Sequence, residues 1–183
     1  NFDLENYREW AHDELRRRTR VVYFADGTPN GGRRQQSIQV LSTGNLVTSY
    51  QYDNSGSVRF VTDPRGNTVE TRYDEQGRPK TVHYPATDEN PATQSETKYN
   101  VLGQRSETVD MEGKVMRYRY DGLGRLFEVR QYIDQGLAAS DTGFTLASAT
   151  TGLVVTNYSF DEMGSQLAQT DALGRQTKYE YDS

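Results

Sequence analysis

The residues best placed to do chemistry in this 183-residue chain are its acids, and they are not scattered. The pattern Asp-x-x-Gly recurs at Asp53–Gly56, Asp63–Gly66, Asp74–Gly77, Asp110–Gly113, Asp121–Gly124, Asp161–Gly164 and Asp171–Gly174, and Asn100–Gly103 carries the amide in place of the acid. Carboxylates in such a pattern can bind calcium, act as acid and base, or close tight turns. A calcium loop stacks several oxygen ligands within a dozen residues, whereas each copy here offers one acid. General acid–base work needs two acids held across a cleft, and the adjacent pairs Asp88-Glu89 and Asp161-Glu162 fall in turn-like segments that imply none. Turn closure suits the pattern best. The first residue accepts a hydrogen bond from a backbone N–H two positions on, and Gly at the fourth supplies the positive φ of a type I turn closing into a bulge. Pro64 stands second in its turn, where its fixed φ fits.

Other chemistries lack their residues. The absence of cysteine excludes disulfides and thiolate metal sites. His12 and His83 are the only histidines, too few for a transition-metal site and without partners for nucleophilic catalysis. The Gly-rich stretch Asp26–Arg34 (DGTPNGGRR) is not a phosphate loop, because no Gly-Lys-Ser/Thr closes it and no helix is predicted after it. The arginines from Arg16 to Arg20 and the pair Arg33-Arg34 read as a solvated charged face, with contact to an acidic partner as the alternative. Asn157-Tyr158-Ser159 fits the N-glycosylation pattern within a predicted strand. No enzyme activity and no cofactor is expected. The net charge of −5 supplies no basic field to recruit nucleic acid or an anionic membrane. No apolar run approaches the roughly 20 residues of a membrane span.

The turns dictate the elements between them. Successive acids are spaced 10 then 11 residues apart at positions 53, 63, 74, again at 100, 110, 121, and again at 161, 171, 182. Each set is a 21-residue unit, and internal periodicity of this kind marks a repeat architecture. An aromatic precedes the first and last acid (or Asn) of each unit, at Tyr52, Tyr73, Tyr99, Tyr120, Phe160 and Tyr181, while Thr62, Val109 and Thr170 precede the middle one. Removing the turns leaves about six or seven residues per segment, an ordinary strand length. Those segments alternate: Val69, Thr71 and Tyr73 against Glu70 and Arg72; Met116, Tyr118 and Tyr120 against Arg117 and Arg119; Thr177, Tyr179 and Tyr181 against Lys178 and Glu180. The expectation is an all-β protein, an antiparallel sheet of consecutive hairpins with a tyrosine-rich face and a charged face. An apolar share of 33% suits a sheet wetted on one or both faces.

The signatures Tyr73–Arg78 (YDEQGR) and Tyr120–Arg125 (YDGLGR) resemble the YD repeats of Rhs, toxin-complex and teneurin proteins. Asp63–Asn67 (DPRGN), Asp110–Lys114 (DMEGK) and Asp171–Arg175 (DALGR) are similar to that family's mid-repeat turn, and the resemblance spans roughly residues 46–183. It implies hairpins spiralling into a hollow shell, which in bacterial members encloses a C-terminal toxin or serves cell-surface contact. A secreted or cell-surface location is implied by the resemblance alone. The family's self-cleaving core aspartates and a toxin domain are not recognisable here. Two functional classes stand: a structural wall segment of a shell around a toxin, and a surface module binding a glycan or partner protein through the tyrosine face or a loop.

The remaining segments complete the expected organisation. Residues 1–20 contain an amphipathic helix over 3–18, with Leu4, Tyr7, Ala11 and Leu15 on one stripe and Asp3 as its cap. Residues 21–51 are degenerate strands, one at 21–25 and two around Thr43-Gly44-Asn45. Residues 52–183 are the repeat sheet, interrupted near 84–95 by a long connection and near 134–152 by a small-residue, polar surface loop. The chain opens at Asn1 and stops inside a ninth copy at Asp182, so it reads as an excerpt of a longer repeat chain. Open strand edges would then pair with the rest of that chain, or with another copy.

Overall fold

The computed structural model describes residues 7–12, 18–41, 43–140 and 152–182. They form two compact units, residues 1–93 and 94–183, and each is a ladder in which every strand pairs with the one before it. The first comprises β1 (Tyr7–His12), β2 (Arg18–Tyr23), β3 (Arg34–Val40), β4 (Leu46–Tyr52), β5 (Val58–Thr62), β6 (Thr68–Tyr73) and β7 (Pro79–Tyr84). The second comprises β8 (Thr93–Tyr99), β9 (Arg105–Val109), β10 (Val115–Tyr120), β11 (Leu126–Tyr132), a short helix α1 (Gln135–Ser140), β12 (Leu153–Phe160), β13 (Gln166–Thr170) and β14 (Gln176–Lys178). All pairings within each ladder are antiparallel, and the five-residue connections that carry the turns are too short for a parallel crossover.

Alternation sorts the side chains onto two faces. Tyr50, Val61 and Val69 stand opposite one another across β4, β5 and β6, and Thr71 faces Val82. On the other face Gln51, Phe60, Glu70 and His83 form a cross-strand row, and the Thr62 and Thr68 hydroxyls hydrogen-bond at 2.8 Å. Registers also divide the turns into two kinds. Where an aromatic precedes the turn, the next strand carries one extra residue: Arg59, Lys80, Ser106, Phe127 or Leu167 has no partner opposite. Beyond the middle turns of each unit the pairing runs without a shift. A bulge bends its strand and raises local twist, so one kink per 21 residues is built into the period.

The two ladders differ in how they bury apolar surface. Among the described residues of the first, Ile38 is the one fully buried apolar side chain. The second has a core on its charged face: Val109, Val115, Tyr132 and Leu153 stand in one cross-strand row, over which α1 lays Ala138 and Leu137, with Val155 beside them. The charged face is therefore the better-buried one at this corner, and Glu128 and Arg130 are buried in the next rows.

Three expectations need correction. The helix over 3–18 is not formed: Tyr7–His12 is strand β1, paired with β2 through Trp10↔Arg20, Ala11↔Thr19 and His12↔Arg18. Helix propensity is a weak preference, and the β-branched and aromatic run in β2 offers a ladder partner that a lone helix lacks. Asp3, Leu4 and Leu15 lie outside the described residues. The segment 134–152 is not simply a loop, because α1 occupies Gln135–Ser140. The Asp134 carboxylate caps it, accepting the Leu137 N–H at 2.7 Å; residues 141–151 lie outside the described residues. The strand expected at 21–25 begins earlier, at Arg18, and ends at Tyr23.

Candidate functional site

The repeated site is the turn, and its geometry is nearly the same at each copy. The backbone N–H of the Asp donates to the carbonyl four residues on, and the Gly N–H returns to the Asp carbonyl: 2.9 and 3.0 Å for Asp74, 2.9 and 2.9 Å for Asp121, 3.0 and 3.0 Å for Asp171. The same two bonds close the turns at Asp53, Asp63, Asn100, Asp110 and Asp161. The glycines Gly56, Gly66, Gly77, Gly103, Gly113, Gly124, Gly164 and Gly174 have φ between 76° and 93°, a region that side chains with a Cβ disfavour. One oxygen of the first residue also accepts two N–H groups. Asp63 Oδ1 takes those of Arg65 and Asn67, both at 2.8 Å, and Asp53, Asp74, Asp110, Asp121 and Asp171 repeat the pair. Asp161 accepts the Ser165 N–H at 2.8 Å.

The fifth residue uses the other oxygen. Arg78, Arg125 and Arg175 donate through Nε to Oδ2 of Asp74, Asp121 and Asp171 at 2.7, 2.7 and 2.6 Å, and the Asn67 amide donates to Asp63 at 2.9 Å. At Asn100 the polarity reverses, its Nδ2 donating to Gln104 Oε1 at 3.0 Å while Oδ1 still accepts from Leu102 and Gln104. An amide thus keeps the turn without the charge.

These contacts hold several carboxyls below the ordinary aspartate range. For Asp121 and Asp161 the main cause is the backbone N–H of the fifth residue; for Asp63 and Asp171 it is the Asn67 and Arg175 side chains. At Asp74 desolvation acts in the opposite direction and is outweighed by Arg78. A carboxyl whose pKa is lower folded than unfolded contributes stability above the unfolded value, near 4, which is lost as pH falls through the folded value. The urea midpoint should therefore stay level down to about pH 4.5 and fall below it. Replacing Asp121 and Asp171 by Asn should flatten that fall; an unchanged slope would remove these carboxyls from the acid response.

Aromatic residues do a second job. The hydroxyls of Tyr52, Tyr73, Tyr120 and Tyr181 donate to the carbonyls of Arg34, Val58, Arg105 and Gln166 at 2.8, 2.7, 2.9 and 2.9 Å. Each reaches the first residue of the strand before its own, or for Tyr181 of the strand before β14, and clips the sheet where the bulge interrupts pairing. Burial raises the pKa of Tyr52, Tyr73 and Tyr120, keeping them protonated donors. Phe160 has no hydroxyl, and Arg125 covers its ring at 4.9 Å while donating to the Asp161 carbonyl at 2.9 Å. Tyr118 lies under Arg105 at 6.0 Å, 3.4 Å from the Thr108 hydroxyl. Tyr99 is half-buried before Asn100, and Tyr179 is more exposed, its N–H donating to the Leu167 carbonyl at 2.9 Å.

The charged face is organised by cross-strand pairs. Glu107 accepts Lys98 Nζ and Arg117 Nε, both at 2.7 Å, and burial, which opposes its ionisation, is outweighed by those two donors. Glu128 bridges Arg119 and Arg130 at 3.1 and 2.8 Å. In the first ladder Glu70 accepts Arg59 and Arg72 at 2.9 and 3.0 Å. Arg33 and Arg34 pack over Tyr52 and Tyr50 at 5.5 and 5.6 Å, so this pair braces the sheet.

His83 stands opposite Glu70 in β7, at the edge of the first unit's ladder, and Asp88 and Glu89 line an open hollow with Arg65, Asn67, Ala86 and Thr87. Among the described residues no three His, Cys, Asp or Glu side chains group as metal ligands. The glycine bulge at the turn was expected; the tyrosine clips, the role of the fifth turn residue and the unpaired residue inside the following strand were not. The clips and the fifth residue had a visible signal, the Tyr and Arg that flank Asp-x-x-Gly.

Residues 59–89 match the RHS repeat family. No curated protein matches the chain. Among solved structures it is similar to the Tc holotoxin pore of Photorhabdus luminescens, with 13% identity and a TM-score of 0.57 over 90% of this chain and 9% of that one. It is likewise similar to TcdB2-TccC3, at 13% identity and 0.57 over 90% and 10% of the two chains, and to TcdB2-TccC3-TEV, at 20% identity and 0.57 over 91% and 10%. The likeness is one of fold, and the chain spans about a tenth of the length of each.

Proposed function

We propose that this chain, a stretch of RHS-type repeats, is a structural wall segment of a larger extracellular shell that encloses a toxin, and that it works by holding a sheet in shape rather than by catalysis. The observation that carries this reading is how the repeated residues spend their polar groups. Carboxylate, fifth residue and tyrosine hydroxyl all bind backbone or one another within the sheet, leaving the most regular side chains of the sequence committed to shape. The likeness of fold to Tc toxin complexes and the shell that the YD-repeat resemblance implies support enclosure as the purpose of that shape. Glycan capture draws less support, since four of the tyrosines that would stack on a sugar hold neighbouring strands instead.

A wall segment has edges that continue into further wall. The Tyr179 N–H points to β13, bonding the Leu167 carbonyl, so by strand alternation the Lys178 N–H points outward from β14. An edge of this kind templates pairing. Sedimentation velocity of the isolated chain should show concentration-dependent growth, and Lys178→Pro should reduce it while leaving the melting temperature nearly unchanged. A strictly monomeric particle across the micromolar range would contradict the wall reading.

A further inference from the structure

Charge is sorted by position in the first ladder. Its strands β2–β7 hold Arg18, Arg20, Arg34, Arg59, Arg72 and Lys80 but one acid, Glu70, in a chain of net charge −5. The described carboxylates between these strands all lie in turns and connections. Registers place Arg18, Arg20, Glu70 and Arg72 on one face: Arg20 stands opposite Ile38, Ile38 opposite Val47, Ser49 opposite Thr62, and Phe60 opposite Glu70. Between the arginines of β2 and those of β5 and β6, that face carries Gln36, Ser49, Gln51, Thr62 and Thr68, polar and uncharged.

Depth separates the two signs. The Glu70 side chain is 16% exposed beneath Arg59 and Arg72, which are 47% and 58% exposed. One acid shared by two cations leaves a positive surplus at the surface. Arg59 gives Nε and Nη2 to Glu70, and Arg72 gives Nη2. Arg59 Nη1 and Arg72 Nε and Nη1 have no acceptor among the described residues, nor has the guanidinium of the exposed Arg18. Exposed ion pairs of this kind add little to stability, so the fold does not require the surplus.

We infer that this face is a docking surface for an extended, acidic segment of polypeptide, whose carboxylates engage Arg18 at one end and Arg59 and Arg72 at the other. Arginines with open N–H donors recognise carboxylates, and the amides and hydroxyls between them suit a peptide backbone. A nucleic acid needs cations along its whole length and aromatic rings on which to stack. Between β2 and β5 this face carries no base, since Arg34 lies over Tyr50 on the other face. Phe60 is its aromatic within β2–β7, and Arg59 covers that ring at 5.0 Å. The acids at the strand ends stand about 10 Å from mid-strand, roughly one Debye length at physiological salt, so they are largely screened there. The inference adds a partner to the wall reading and does not depend on it.

Fluorescence anisotropy of a labelled oligoglutamate peptide, titrated with the whole chain, tests this. Binding should weaken as salt is added, and Arg18→Gln with Arg72→Gln should weaken it about tenfold. Both side chains are exposed, so the melting temperature should hold, and Arg18→Lys with Arg72→Lys should restore most of the affinity. Arg65→Gln with Arg175→Gln removes the same charge from turns and should leave binding nearly unchanged. In the unaltered chain the Arg59 and Arg72 Nε–H resonances should shift as the peptide is added. No binding, equal loss from both glutamine pairs, unmoved arginine resonances, or tighter binding of an oligothymidylate of the same charge would each overturn the assignment. None of these variants touches β14, so failure here leaves the wall reading separately testable.

Discussion

Replacing Tyr132 by alanine should destabilise the protein by about 3–5 kcal/mol, the range for removing a large aromatic side chain from a core. Tyr132 is 0% exposed and sits between Val115 and Leu153 in the row that α1 covers. Arg117 lies over its ring at 5.4 Å, so truncation opens a cavity and also uncovers one arm of the Glu107 bridge. A core this small has little capacity to collapse around the loss, because among the described residues the same cluster holds Val115, Ala138, Leu153 and Val155 as its other buried members. Urea denaturation followed by far-ultraviolet circular dichroism measures the effect. Tyr132→Phe keeps the ring and should cost far less, guarding against a variant that does not fold. A loss below about 1 kcal/mol for alanine would mean that α1 does not seal this corner.

The second large effect concerns backbone rather than packing. Gly77 has φ of 76°, and a Cβ built there meets nothing within 4 Å, so substitution isolates the conformational cost. Alanine should destabilise by about 1–2 kcal/mol, the penalty for an L-residue in the left-handed region. Valine should cost more, being β-branched, and asparagine clearly less, since it tolerates this region. Gly56 makes a useful contrast. A Cβ there would collide with the Arg33 guanidinium, so even alanine must push it off Tyr52. Equal melting temperatures for Gly77→Asn and Gly77→Val would show that the turn does not hold its conformation in solution.

What the sequence made legible is what local chemistry decides. Asp and Gly three positions apart specify a turn without help from the rest of the chain, and strict alternation such as Val69, Thr71 and Tyr73 specifies which side of a strand faces which way. The RHS match at residues 59–89 falls where both signals are strongest. Errors came where distant parts of the chain decide. The stripe Leu4, Tyr7, Ala11 and Leu15 suits a helix, but β2 offers Tyr7–His12 a ladder partner that spacing cannot reveal. Helix α1 is six residues of Gln, Gly, Leu, Ala and Ser, too short for periodicity, and only the capping Asp134 marked it. Nothing in the sequence around Tyr132 marks it as the core aromatic, because its burial depends on α1 packing over its row. The in-strand bulges, unlike the glycine bulge of the turn, were silent for a related reason: an unpaired residue is defined by its neighbours' register, and Arg59, Lys80, Ser106, Phe127 and Leu167 share no chemistry.

Consecutive hairpins closed by acid-and-glycine corners make up this chain, and nuclear Overhauser contacts across residues 60–130 test this most directly. Short interstrand proton contacts should link Val61 with Val69, Thr71 with Val82, Thr97 with Thr108, and Tyr118 with Val129. Runs of sequential amide–amide contacts through this region, or cross-strand contacts centred on Gly77 and Gly124 instead of around them, would contradict it.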